Sequence, residues 1–459
     1  METLQRTANR GSVSTGYDVA NSLKVESDNN EYLERSTSGA SDGSSTQHTI
    51  SVWVKRTELG VDSEPVSAGG IGRFRFESND TFSYQFRSGK ELITTQVFRD
   101  TSSWYHIVAA ADSSQSTASN RMKVYVNGVQ VTDFGTANYQ DQNQGSPAWG
   151  KNTIYSLRVG AAASSTRNFN GYIAEMYYID GQTLDPTSFG EFDDNGIWIP
   201  KAFSGTHGSL DTYLDFSDAS NLGKNSGGTT DLTANNISAA DQATDTCTNN
   251  FCVINAINLS TQTLTQGATK IVSTDNSSRT SFGTMAVSKG KWWWEGKIQV
   301  YESNTTYPCI GVTGDLDNPP ATSAQLFGSN HVIKLAKNQK WVTNDTGTSY
   351  GTTYSDNDII NIGLDMDNHI MYTYKNGTID DASGINFSSQ SAATSDDFYI
   401  PINLVYVTGG GSSWEMNFGG FANYTISSAV SDANGYGTFE YAPPSGYYAL
   451  CTKNLAEYG

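Results

Sequence analysis

Along most of this chain, hydrophobic and polar positions alternate in short runs with a period of two. In 121–131 (RMKVYVNGVQV), Met122, Val124 and Val126 fall on one side while Lys123 and Tyr125 fall on the other. A β-strand with one buried face reads this way. Asn127-Gly128 then offers the positive φ angles of a tight hairpin before Val129 and Val131 resume the pattern. Runs of the same kind stand at 48–56 (HTISVWVKR), 73–78 (RFRFES), 82–87 (FSYQFR) and 104–112 (WYHIVAAAD), separated by Ser, Thr, Gly and Asn. They predict an antiparallel, strand-rich domain over 22–196.

A second alternating region begins near 265 and runs to 459. In WWWEGKIQV, Trp292, Trp294, Ile298 and Val300 share a face with Gly296, opposed by Trp293, Glu295, Lys297 and Gln299. Ile360, Ile362, Leu364 and Met366 alternate with Asn361, Gly363, Asp365 and Asp367, and the next strand closes on Asn376-Gly377. Between the two regions, 197–264 is rich in Asn, Thr, Asp and Ser. It forms a core poorly and reads as a polar connector with a little local structure. Residues 1–21 are polar, carry Arg6 and Arg10, and read as an N-terminal attachment arm. The pattern therefore predicts an all-β chain of two antiparallel sandwiches in tandem, joined by the connector.

Composition agrees with this division. A chain of 459 residues exceeds what one sandwich needs. Aromatics at 12% and 44 glycines suit pleated surfaces joined by many turns, not long helices. The net charge of −19 repels phosphate, so nucleic acid is not an expected partner, and the charge keeps an exported or surface protein soluble. Cys247, Cys252, Cys309 and Cys451 form no Cys-x-x-Cys pair. They read as free thiols suited to a reducing cytoplasm, with only a weak signal for a Cys247–Cys252 bridge. The first residues have no apolar core of a secretory signal, and no run is long and apolar enough for a membrane span. Neither export by a cleaved leader nor membrane insertion is expected.

Specific segments resemble known families. ISVWVKR, WYHIVAAAD, MKVYVNGV and FNGYIAEMYYIDG (169–181) resemble a laminin G-like jelly roll of the concanavalin A-like superfamily. GKWWWEGKI, CIGV (309–312), NDIINIGLDMDNHIMYTYKNG and IPINLVYVTGGGSSWEMNFGG look like the ordered motifs of a SPRY (B30.2-like) domain. RTANRGSVSTGYDVANSLKVE, DTCTNNFCVINAINL and YAPPSGYYALCTKNL look like segments of structural proteins from tailed bacteriophages. The last resemblance implies a virion protein made in the host cytoplasm: a tail or head fibre, or a capsid-decoration protein. Its implied partners are other virion proteins and a host-surface glycan or receptor, with homo-oligomerisation. A purely structural decoration protein is the alternative reading.

The candidate chemistry is sparse. Glycan hydrolases of this fold need two carboxylates, commonly on an E-x-D-x-x-E strand. The nearest match starts at Glu191-Phe192-Asp193 but has Gly196 at its sixth position, and Glu175 and Asp180 are spaced to face opposite sides of a strand. His48, His106, His207, His331 and His369 lack a nucleophile-elbow context. No enzyme is expected. The laminin G resemblance implies a Ca²⁺ set at Asp112, Asp193, Asp194 and Asn195, with Asp365-x-Asp367-Asn368 as a further fragment; the same residue types are turn formers, which the local sequence favours. The polar stretch WVTNDTGTSYGTTY offers aromatic faces at Trp341, Tyr350 and Tyr354 beside acceptors at Asn344 and Asp345, an arrangement suited to gripping sugars. The alternative is that Trp341 caps the core.

Overall fold

The structure, a computed structural model, describes residues 16–459 apart from 39, 152, 164–165, 258, 260–261, 274–278, 300–307, 316–330, 336–338, 343–347, 390–396 and 406–412. Two compact units divide the described chain between Thr248 and Asn249. Both are β-sandwiches. Among the described residues the only α-helix is Thr452–Tyr458.

In the first unit, one sheet runs in the spatial order Val129–Gln130, Met122–Val126, Tyr105–Asp112, Gln47–Arg56, Gly171–Asp180, Ser22–Val25, Gln242–Ala243. The facing sheet runs Phe134–Ala137, Lys90–Val97, Thr81–Arg87, Gly72–Phe76, Ser63–Ala68, Leu157–Val159, Tyr32–Glu34, Thr233–Asn235. The period-two pattern fixes which side chains meet between them. Met122, Val124 and Val126 join Ile50, Val52, Val54, Phe74, Phe76, Phe82 and Tyr84 in one buried cluster. Each large apolar side chain so buried contributes on the order of 1.5–3 kcal/mol. The Asn127-Gly128 turn forms as predicted, with φ of 47° and 80°.

The stretch expected to be a connector is largely built into this sandwich. Thr212–Leu214 pairs with Met176–Tyr178, Thr233–Asn235 with Tyr32–Glu34, and Gln242–Ala243 with Ser22–Leu23. Its role is to cover the outer face of the first sheet, where Val108, Tyr177, Ile179 and Phe189 are buried. The N-terminal boundary also moves. Residues 1–15 lie outside the described residues, but the Val19 amide donates to Thr248 Oγ1 and the Tyr17 hydroxyl to Glu175, so residues 16–21 belong to the fold.

In the second unit, one sheet follows Gln262–Thr265, Lys270–Ser273, Ser413–Asn417, Lys291–Ile298, Ile359–Asp365, Ile370–Lys375, Thr378–Ile379. Its partner follows Arg279–Phe282, Ile400–Val405, Cys309–Thr313, His331–Leu335, Gln339–Val342, Thr348–Ser349. Trp292, Trp294 and Ile298 pack with Ile360, Ile362, Leu364 and Met366, as the alternation predicts. The opposite face is buried too. Trp293 packs with Phe439 and Tyr447, and Glu295 accepts hydrogen bonds from Asn361, Asn417, Tyr424 and the amides of Glu440 and Tyr441. One carboxylate thereby ties the irregular segment 424–441 to the sheet, which is how a buried charge is tolerated. All four cysteines are free thiols.

Candidate ligand-binding site

The aromatic site expected around 341–354 is not an open surface. Tyr350 and Tyr354 are buried in the core of the second unit. Lys334 Nζ lies 4.1 Å from the centre of the Tyr354 ring, and the Tyr354 hydroxyl donates to Asp380 Oδ2 at 2.9 Å. Tyr350 donates to the Asp381 carbonyl at 3.4 Å. Burial pushes the Tyr350 phenol up to about 12 and the Lys334 ammonium, 4.0 Å from Asp380, down to about 8. Their polar neighbours in sequence hid a packed polar cluster. Trp341 lies on the strand Gln339–Val342, and Asn344 and Asp345 lie outside the described residues.

The implied Ca²⁺ ligands are used by their own turns. Asp112 Oδ1 accepts from the amide and hydroxyl of Ser114, and Oδ2 from the Gln115 side chain. Asp193 Oδ1 accepts from the amides of Asn195 and Ile197, and Asp194 and Asn195 are turn residues between the strands Gly190–Phe192 and Trp198–Pro200. Asp365 is taken by Asn368 and Lys291. Among the described residues no three His, Cys, Asp or Glu side chains come together in a way that could hold a metal ion. The proposed set does not fit Ca²⁺.

His106 is buried between Trp53 and Trp198, with Nε2 on Ser51 and Nδ1 on the Trp198 indole. Burial pushes His48 and His106 down to about 3, so both stay neutral near pH 7.

A cleft of about 450 Å³ opens at one end of the second sheet of the first unit. Three neighbouring strands end there: Ser63–Ala68, Leu157–Val159 and Tyr32–Glu34, in the register Leu157↔Ala68 and Arg158↔Glu34. Its walls include Glu34, Arg35, Ser36, Thr37, Gly69, Ile154, Tyr155 and Ser156. Glu34 Oε1 accepts from Ser156 Oγ at 2.5 Å and from Arg158 Nε at 3.0 Å. Arg158 in turn holds the carbonyls of Ala162 and Ala163 and lies over the Tyr32 ring, so the carboxylate is fixed in place. Tyr155 is half-buried with its ring laid on Gly69, where a Cβ would stand 2.2 Å from the ring. Gly69 also has φ of 58°, so the position needs glycine for two reasons. Ile154, next to it, is 63% exposed. A positioned carboxylate, hydroxyls, a guanidinium and a half-open aromatic face together form a shallow polar site with one apolar wall. Sequence reasoning missed it because Glu34, Gly69 and Tyr155 are far apart along the chain. Only the Gly69-Gly70 pair between two strand-like runs marks a turn there.

Glu175, set aside as a catalytic carboxylate, occupies a different kind of site. The strand Gly171–Asp180 shifts register between Ala174 and Tyr177, and Glu175 sits in that bulge with φ of 47°. The hydroxyls of Tyr17, Tyr177 and Tyr213 donate to its carboxylate at 3.0–3.2 Å. Burial, against these donors, pushes the carboxyl up to about 7. Asp180 is turned to other partners, accepting from the Ser44 amide.

Residues 27–185 match the laminin G-type family described as the Concanavalin A-like lectin/glucanases superfamily. Solved structures similar to the chain include the SPRY domain of human HERC1, at 15% identity over 34% of this chain and 92% of that one, with a TM-score of 0.28. A human SPRY domain shows 13% identity over 34% and 94%, with a TM-score of 0.26. The PSpry domain of TRIM65 shows 11% identity over 36% and 91%, with a TM-score of 0.27. No curated protein matches the chain.

Proposed function

We propose that this chain is a non-enzymatic adhesion protein of a virus particle, a fibre or capsid-decoration protein whose first sandwich holds a surface glycan in the cleft beside Tyr155. The observation that carries the reading is the make-up of that cleft. An aromatic face for a sugar ring lies beside a carboxylate and hydroxyls suited to sugar hydroxyls. Glu34 is the one carboxylate among its described walls, whereas hydrolysis of a glycosidic bond calls for two. The match of 27–185 to the Concanavalin A-like lectin/glucanases superfamily supports a glycan as the ligand class. The virion setting rests on the phage-like segments of the sequence and on the charge of −19, which suits an exposed, soluble surface.

Binding of the intact protein to a glycan array, followed by titration of the best ligand, tests the reading. Tyr155→Ala is expected to weaken binding roughly thirty-fold, about 2 kcal/mol, while the variant keeps the β-type circular dichroism and a cooperative melt. Absence of saturable glycan binding, or a stable variant that binds as before, would overturn it. Immunogold labelling of purified particles tests the setting separately.

A further inference from the structure

On the outer face of the first sheet a row of polar side chains is buried where apolar ones would be ordinary. Lys24 and Lys55 stand on either side of Tyr172, each its register partner, and both lysines are buried. The segment after Ser238 lays a carboxylate on each: Asp241 Oδ1 is 2.8 Å from Lys24 Nζ, and Asp245 Oδ2 is 2.6 Å from Lys55 Nζ. Lys24 has a second carboxylate, Glu31, at 2.8 Å and 3.1 Å from its two oxygens. The pairing of Ser22 with Ala243 and Leu23 with Gln242 brings Lys24, on this sheet's first strand in chain order, beside Asp241, the residue just before its last strand.

This triad has the parts of an amide-forming site. A lysine out of water with one carboxylate as acceptor needs a second carboxyl to move protons, and Glu31 is buried and touches the same nitrogen. Asp241 Oδ2 accepts from the amide and the hydroxyl of Ser238, donors placed to stabilise negative charge on the oxygen that stays. Oδ1, beside Lys24, is the oxygen that leaves. Burial raises the Glu31 carboxyl above its ordinary range, which favours a group that both takes and returns a proton.

We propose that Lys24 and Asp241 condense spontaneously after folding into an intramolecular isopeptide bond, with Glu31 as the proton carrier. Glu31 takes a proton from the Lys24 ammonium. The freed lone pair of Nζ then attacks Asp241 Cγ, and the N–C bond forms. The Cγ–Oδ1 bond breaks, and Oδ1 departs as water with the two protons lost by Nζ, relayed through Glu31. One ammonium and one carboxylate become one amide and one water, so charge and atoms balance without an oxidant or co-reactant. The bond ties the beginning of the first sandwich to its end, across an adhesion domain that would be pulled from outside.

Intact mass spectrometry of the purified full chain tests this, followed by digestion and sequencing of the linked peptides. The expected mass is one water below that of the sequence, with Lys24 joined to Asp241. Lys24→Arg keeps the charge and the ion pair but is no nucleophile, and Glu31→Gln keeps the shape but carries no proton. Both are expected to restore the full mass while keeping the β-type circular dichroism. A parent protein of full mass overturns the proposal. So does a loss of water that persists in Lys24→Arg, or a link that runs to Glu31.

Discussion

Glu175 shows how one residue acquires a property that its position in the sequence does not announce. Parity along a regular strand places it on the face opposite Asp180, but the bulge at Ala174–Tyr177 is a tertiary event and turns it among three tyrosines. Its carboxyl titrates near 7 in the fold against an ordinary 4.5. A folded pKa raised above the unfolded one means the associated stability is full below about pH 4.5 and is lost as pH rises through about 7. The loss is on the order of 3 kcal/mol once Glu175 is ionised in both states. Glu175→Gln cannot ionise. Urea unfolding at pH 5 and pH 8.5 is therefore expected to show the parent losing stability that the variant keeps; parallel behaviour would mean the carboxyl is not shifted. Tyr350 and Tyr354 teach the converse: flanking Thr, Gly, Ser and Asp suggest a surface loop, yet each ring is closed in by a lysine and each hydroxyl by an acceptor from 380–381.

Elements were far more legible than sites. Alternation placed Met122, Val124 and Val126, and likewise Ile360, Ile362 and Leu364, on their core faces, because one buried face forces a period of two. The two Asn-Gly turns were equally plain, since few residue pairs tolerate two positive φ angles. What the turn residues could not reveal is what packs on them. A Cβ at Gly128, which has φ of 80°, would lie 2.3 Å from the Trp198 ring, whereas at Gly60, with φ of 75°, nothing lies within 4 Å. Gly60→Ala thus carries only the cost of positive φ, about 1 kcal/mol, while Gly128→Ala adds a clash and is expected to cost about 2–4 kcal/mol. Thermal melts of the two single variants measure the difference. Adding Trp198→Ala to Gly128→Ala should remove the steric part, and the double-mutant cycle reports it. Equal losses at the two glycines would show that Trp198 does not bear on the turn.

At the scale of the whole chain, the two sandwiches were legible and the boundary between them was not. The stretch 197–248 sends Leu214, Phe216, Leu222 and Leu232 into the core, but much of the rest of its packing is polar. Asp241 and Asp245 neutralise Lys24 and Lys55, and Asp211 accepts from the Asp180 amide while the Arg35 guanidinium holds the Leu210 carbonyl. Composition reads such a segment as linker; register shows it to be part of the sheets. A cut after 196 would therefore take Asp245 from the buried Lys55 and leave Lys24 with Glu31 alone, and removing one member of a buried pair costs about 3–5 kcal/mol. It would also strip the cover from Tyr177 and Ile179. Two such losses approach the 5–15 kcal/mol that holds a typical domain together. A fragment of residues 14–248 is expected to melt cooperatively and to give the circular dichroism of a β protein. A fragment of 14–196 is expected to aggregate or to melt without a transition. Comparable cooperative melts for both fragments would show that the polar segment is the linker its composition suggests, and that the lysine row is stable without it.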